Sequence, residues 1–179
     1  MASTLTLFVS VASLMEQDLE KFSIYGFSID YPKDLRIEFN PKSRRGEGDV
    51  VFHFPDRVKI FLSWGDLEKA SKKFQSVEDH ADHSLKRIKT AGNVKDFERV
   101  FHDSIRIRSH DGVYNRAKFG EVSMGFFSGK KKNPREAHSV HVHCPETGRY
   151  FVIYALLPAE GTFDYEKIFS AMAKSLHCH

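Results

Sequence analysis

Cysteine, glutamine and tryptophan are scarce in this 179-residue chain, which has two Cys (Cys144 and Cys178), two Gln and one Trp. Two thiols far apart in sequence cannot make the disulfide framework of a small secreted domain. A reducing, cytoplasmic setting is therefore the default, with one bridge geometrically open. Long hydrophobic runs are also missing. The stretch TLTLFVSVASLM (4–15) is too short for a membrane span. It also lacks the basic leader of a signal peptide, because the first basic residue is Lys21. It reads as a strand or a short helix belonging to the fold. No repeat, low-complexity tract or Pro/Gly/Ser-rich linker divides the chain, which is expected to form one domain over 1–179, with 1–21 as the N-terminal element and 22–176 as the main body. The net charge of +3 and pI near 8.8 fall short of the concentrated charge of a dedicated nucleic-acid binder. GxSxG, HExxH, a P-loop and CxxC are all absent, so the expectation is a non-enzymatic protein.

Sixteen Phe predict an aromatic core. Few amides beside 28% charged residues follow a trend of thermophilic proteins. Strand patterns dominate. FSIDYP places Phe27, Ile29 and Tyr31 on one face, and LRIEFN sets Leu35, Ile37 and Phe39 against polar alternates. DVVFHFPD and RVKIFLSW read as a hairpin, with Val50, Phe52, Phe54, Val58, Ile60, Leu62 and Trp64 inward. Ser76 and Asp79 open a helix in the manner of a capping box, and Val77, Ala81, Leu85 and Ile88 form its apolar stripe. Strands are expected over about 97–108, 113–119, 121–127, 138–144 and 149–157, with turns at HDG (110–112) and PETG (145–148). YFVIYALL is apolar at every position, which marks a central strand covered on both sides. A last helix, capped by Thr162, should bury Tyr165, Ile168, Phe169, Met172 and Leu176.

The order of these elements, with the opening YGFSIDYPKDL and the closing RYFVIYALLPAEGTFDYEKIFSAMAKSL, resembles the PsbP-like superfamily over residues 22–176. That group includes the extrinsic P subunit of photosystem II and Ran-binding nuclear-transport relatives. The resemblance implies an α+β fold: an α/β/α sandwich around a mostly antiparallel sheet of six to seven strands. It also implies a non-enzymatic module that docks on a larger assembly, so the expected partner is another protein. Chloroplast members use a basic N-terminal extension, which this sequence lacks, and that argues against a photosynthetic role. No site residue follows from the resemblance.

HSVHVHC (138–144) concentrates ligand-type side chains. In a strand, Ser139, His141 and His143 share one face, while Val140, Val142 and Cys144 share the other. His141 and His143 are suitably spaced for one zinc or copper ion. A stable zinc site needs three or four ligands, so His138, His53 or a neighbouring carboxylate would have to join. The plainer expectation is a half-exposed polar sheet face with no cofactor. Alternation also separates Cys144 from both histidines, which argues against a thiol–imidazole nucleophile there. His177, Cys178 and His179 could complete a site only if the tail folds back beside the strand. His80 and His83 on the mid-chain helix read as solvated. The basic runs KSRR (Arg44, Arg45) and GKKKNPR (Lys130, Lys131, Lys132, Arg135) read as loops. Brought together, they would form a cationic patch for an acidic partner or a nucleic acid, a reading that is not favoured.

Overall fold

A computed structural model describes residues 18–125, 129–159 and 164–179, leaving aside the side chains of 123–125 and 129–132. The expectations for 4–15, for Phe126 and Phe127 and for a Thr162 cap fall outside the described residues. The chain runs β1 (Leu19–Ile24), β2 (Phe27–Pro32), β3 (Arg36–Phe39), β4 (Gly48–His53), β5 (Lys59–Asp66), α1 (Leu67–Ser71), α2 (Val77–Lys89), β6 (Val94–Ile107), β7 (His110–Gly125), β8 (Gly129–Cys144), β9 (Arg149–Pro158) and α3 (Tyr165–Ser175). Strands β3 to β9 form one antiparallel seven-stranded sheet in the order β3-β4-β5-β9-β8-β7-β6, and β1 and β2 make a separate hairpin. This is the expected α+β architecture with helices on both faces.

One face carries the main core. Val50, Phe52, Ile60, Leu62, Trp64, Val140, Val142, Phe151 and Ile153 point to it, and α3 and β2 cover it with Phe169, Met172, Phe27 and Ile29. Phe27 packs its ring 4.8 Å from Trp64 and 5.2 Å from Phe151, geometry that favours aromatic pairs. The two-residue turn Tyr25–Gly26 joins β1 to β2 with both φ angles positive (51° and 80°), the hand that matches strand twist. Helix α2 lies on the other face, where Val77 and Ala81 meet Val113 of β7. Ser76 caps α2 as its sequence implies, with its hydroxyl 3.2 Å from the Asp79 N–H. Asp164 caps α3, accepting from the Lys167 N–H. As expected, β9 is the central strand. Its odd-numbered residues are buried, while Tyr150, Val152, Tyr154 and Leu156 are only half covered by the α2 side.

Three local expectations are corrected. The segments 113–119 and 121–127 are one strand, β7, which continues to Gly125. The basic run from Gly129 is the first half of β8 and not a loop, with Pro134 opposite Gly120 and Arg135 opposite Phe119. HDG is not a turn: the chain reverses at Arg108–Ser109, where Arg108 has φ of 54°, and His110 to Gly112 already belong to β7. Gly112 is required for close approach, because a Cβ there would lie 2.7 Å from the His141 carbonyl oxygen.

Candidate functional site

HSVHVHC forms the end of β8, and its alternation holds. Val140, Val142 and Cys144 enter the main core. Ser139, His141 and His143 face the other way, but that face is not wet. Ser139 and His141 are buried and His143 is half-buried. The cause is α2, which crosses β7 and β8 at this point. His80, expected in solvent, is buried there too, while His83 is exposed. On the helical wheel His80 lies at the margin of the apolar stripe, and the breadth of the sheet brings that margin under cover.

The result is a small imidazole cluster. His80 Nδ1 is 3.4 Å from His143 Nε2, and the His80 and His141 ring centroids are 4.9 Å apart. Phe74 stacks on His80 at 4.4 Å, and Tyr150 meets it edge-on at 5.0 Å. Burial, helped by the neighbouring imidazoles, pushes the His141 pKa down to about 3 and that of His80 to about 4. Burial also lowers that of His143, against the pull of Glu78. All three rings are therefore neutral at pH 7. Neither nitrogen of the fully buried His141 has a hydrogen-bond partner. The other suggested ligands are elsewhere: His138 faces the main core, and His53 is on β4, bonded to Glu38 of β3 at 2.8 Å.

Among the described residues, two groups of three ligand-type side chains have their ligand atoms within 4.8 Å of one another, and neither contains His141 or His143. The first is Glu136, His138 and Glu166. Its carboxylates are already matched by cations, since Arg116 lies 3.4 Å from Glu136 and 2.7 Å from Glu166 and Lys118 lies 3.4 Å from Glu136. The second is His110, Cys144 and His179. The tail does fold back, as the sequence allowed, but onto the opposite face of β8 from His141. His177 pairs with Ser28 of β2 through two 2.8 Å backbone hydrogen bonds, which carry His179 to Cys144. His110 escaped notice because the turn reading removed it from the sheet. Its strand position becomes legible only from the β7–β8 register.

Cys144 therefore has imidazoles near its sulfur, though not those of its own strand: His110 Nε2 lies at 3.9 Å and His179 Nδ1 at 3.8 Å. Cys144 is completely buried. Opposite it across β8 and β9 is Arg149, 4% exposed. The Arg149 guanidinium donates to the carbonyls of Tyr25 and Cys178 at 3.1 and 3.2 Å and lies over the Phe27 and Phe151 rings. Among the described residues no carboxylate forms an ion pair with it. Burial pushes the neighbouring Cys178 thiol up to about 12.

The two basic runs do not meet. Arg44 and Arg45 are exposed in the turn before β4, and the Arg44 carbonyl accepts from Trp64 Nε1 at 2.9 Å. That turn adjoins the start of β9, whereas Lys130 to Lys132 lie at the start of β8, where the backbone pairs with Val122 to Met124 of β7, beyond the Arg135–Pro158 pair with which β9 ends. Arg135 is engaged by Glu121 at 3.0 Å. At about 3.3 Å per residue, the length of β8 keeps the two runs tens of ångströms apart.

Among the described residues, no strand pairs with the outer side of β6, the last strand of the sheet. Two register shifts, at Lys95/Glu98 and Arg99/Phe101, interrupt its first half, and Phe101–Ile107 then pair regularly with β7. Val100 and Phe101 are 39% and 40% exposed. Among the described residues no helix is long and apolar enough to cross a membrane.

No family model matches the chain, and no curated protein matches it. Solved structures do share its fold. The solution structure of cyanobacterial PsbP (CyanoP) from Synechocystis sp. PCC 6803 aligns with a TM-score of 0.64 and 13% identity, over 90% of this chain and 92% of that one. The Saccharomyces cerevisiae Ran-binding protein Mog1p aligns with a TM-score of 0.52 and 9% identity, over 90% of this chain and 95% of that one. At such identities the likeness is one of fold, and the fold of this chain is PsbP-like.

Proposed function

We propose that the chain is a non-enzymatic protein-binding module of the cytoplasm, and that its partner docks along the β6 edge. The observation that carries this reading is the regular stretch Phe101–Ile107, whose outer side pairs with no described strand, beside the exposed Val100 and Phe101. An edge of this kind accepts an extended segment of another protein by strand addition, with backbone hydrogen bonds giving affinity and apolar side chains giving choice. The Ran-binding neighbour supports a protein partner by analogy of fold. The buried thiols Cys144 and Cys178, both free, suit a reducing compartment.

The test is site-specific photocrosslinking in cells, with a photoreactive residue at Ser104 on β6 and a control at Arg36 on the far edge strand, β3. One discrete adduct from position 104 is expected, absent from position 36 and abolished by Phe101→Asp. Equal adducts from both edges, or an adduct insensitive to Phe101→Asp, would rule the docking edge out.

A further inference from the structure

We propose that His110, Cys144 and His179 form a zinc site on the α3 side of the sheet, independent of the docking edge. The geometry is already close to that of a bound ion. A tetrahedron with Zn–N of about 2.1 Å and Zn–S of about 2.3 Å has nitrogen–nitrogen edges of about 3.4 Å and nitrogen–sulfur edges of about 3.6 Å. Here the sulfur lies 3.9 Å from His110 Nε2 and 3.8 Å from His179 Nδ1, so small side-chain adjustments close the coordination sphere.

Three neighbours complete the chemistry. Glu146 Oε2 lies 3.4 Å from His110 Nδ1. A hydrogen bond there places the proton on Nδ1 and directs the Nε2 lone pair at the metal, the arrangement that outer-sphere carboxylates give zinc-bound histidines. The same oxygen is 3.6 Å from the sulfur and can instead take the fourth position, otherwise open to water. The Thr147 hydroxyl donates to the sulfur at 3.0 Å. Zinc binds the deprotonated thiol, and that sulfur would supply the counter-charge that buried Arg149 lacks among the described residues. Binding is then an exchange: Zn²⁺ enters, one proton leaves Cys144, and no redox change occurs.

Each ligand comes from a different segment. His110 opens β7, Cys144 ends β8, and His179 is carried by the tail that β2 holds in place. Two buried ligands on adjacent strands and one exposed ligand on the tail make a site that a metal can enter from solvent. The mixed sulfur and nitrogen set favours Zn²⁺ over the oxygen-seeking Mg²⁺ and Ca²⁺.

The experiment uses the full chain without an affinity tag, stripped of metal under reducing conditions. Zn²⁺ is titrated against a chromophoric chelator, and Co²⁺ serves as the spectroscopic substitute. One equivalent of Zn²⁺ is expected, together with a thiolate-to-cobalt charge-transfer band. His179→Ala, a change at an exposed position, should weaken binding by more than the ~10–100-fold typical of losing an outer-sphere partner, and Glu146→Gln by about that range. Cys144→Ala should remove the charge-transfer band. The double variant His141→Ala/His143→Ala should keep both stoichiometry and band. The proposal fails if Zn²⁺ does not bind at one equivalent, if Co²⁺ binds without the sulfur band, or if binding is lost in the His141/His143 variant and kept in His179→Ala.

Discussion

Acidification should destabilise this protein steeply, and His141 should account for about half of what it and His80 contribute together. In the unfolded chain His80 and His141 take up protons near pH 6.5. In the folded chain they do not until about pH 4 and about pH 3. Stability rises with pH wherever the unfolded state holds more protons, so it is complete above about pH 6.5 and falls as pH drops towards the folded values. Well below the unfolded pKa each imidazole contributes about 1.4 kcal/mol per pH unit, so the two together remove about 4 kcal/mol between pH 7 and 5. That is a large share of the roughly 5–15 kcal/mol that holds a typical domain together. His141→Val isolates the effect. The new side chain would sit in register between Val113 of β7 and Val152 of β9. It also deletes two buried nitrogens that have no partner, a desolvation cost of about 1–3 kcal/mol. Urea unfolding followed by the fluorescence of the buried Trp64 should find the variant at least as stable as the parent at pH 7. On going to pH 5 it should lose about 2 kcal/mol less than the parent does. A parent whose stability is flat from pH 7 to 5, or a variant weakened by more than about 2 kcal/mol at pH 7, would refute the argument.

Two further substitutions probe the packing. Gly65 faces Tyr150 across β5 and β9, and a Cβ there would run into the Tyr150 ring. Gly65→Ala should therefore cost about 1–3 kcal/mol in urea unfolding, and a loss below about 0.5 kcal/mol would show that the ring moves aside freely. The Tyr114 hydroxyl, whose pKa burial raises to about 12, bonds His138 Nδ1 at 2.7 Å inside the core. Tyr114→Phe strands that nitrogen and should cost about 1–3 kcal/mol, and a variant as stable as the parent would mean that the nitrogen finds another partner.

Much of the fold was legible because strand periodicity is a local property. Val58, Ile60, Leu62 and Trp64 are buried and Phe61 is exposed, as alternation requires, and HSVHVHC turns its valines and Cys144 inward. What alternation does not say is what covers each face. Ser139, His141 and His143 look like a solvent face until α2 is laid over them, and that placement follows from long-range packing. The Gly129–Arg135 stretch reads as a loop because it is charged and contains Pro134. A paired ribbon holds its shape by backbone hydrogen bonds to β7 and needs no apolar face to be a strand. His110 was concealed for the converse reason. Asp111 and Gly112 carry turn chemistry, but Gly112 is there to let the β8 backbone come close. The cluster of His110, Cys144 and His179 joins positions that only the sheet register and the tail bridge bring together.

The place of β9 has a bearing on synthesis. It lies at the middle of the sheet yet is the last of its described strands to be made. On one side β3, β4 and β5 can zip up as a local meander, and on the other β6, β7 and β8 can do the same. Until Arg149–Pro158 emerges, no described strand pairs the two halves, and both β5 and β8 present edges to other chains. A nascent or truncated polypeptide lacking this keystone would hold two unfinished ribbons prone to self-association, and its insertion between them is the event that turns local hairpins into one cooperative molecule.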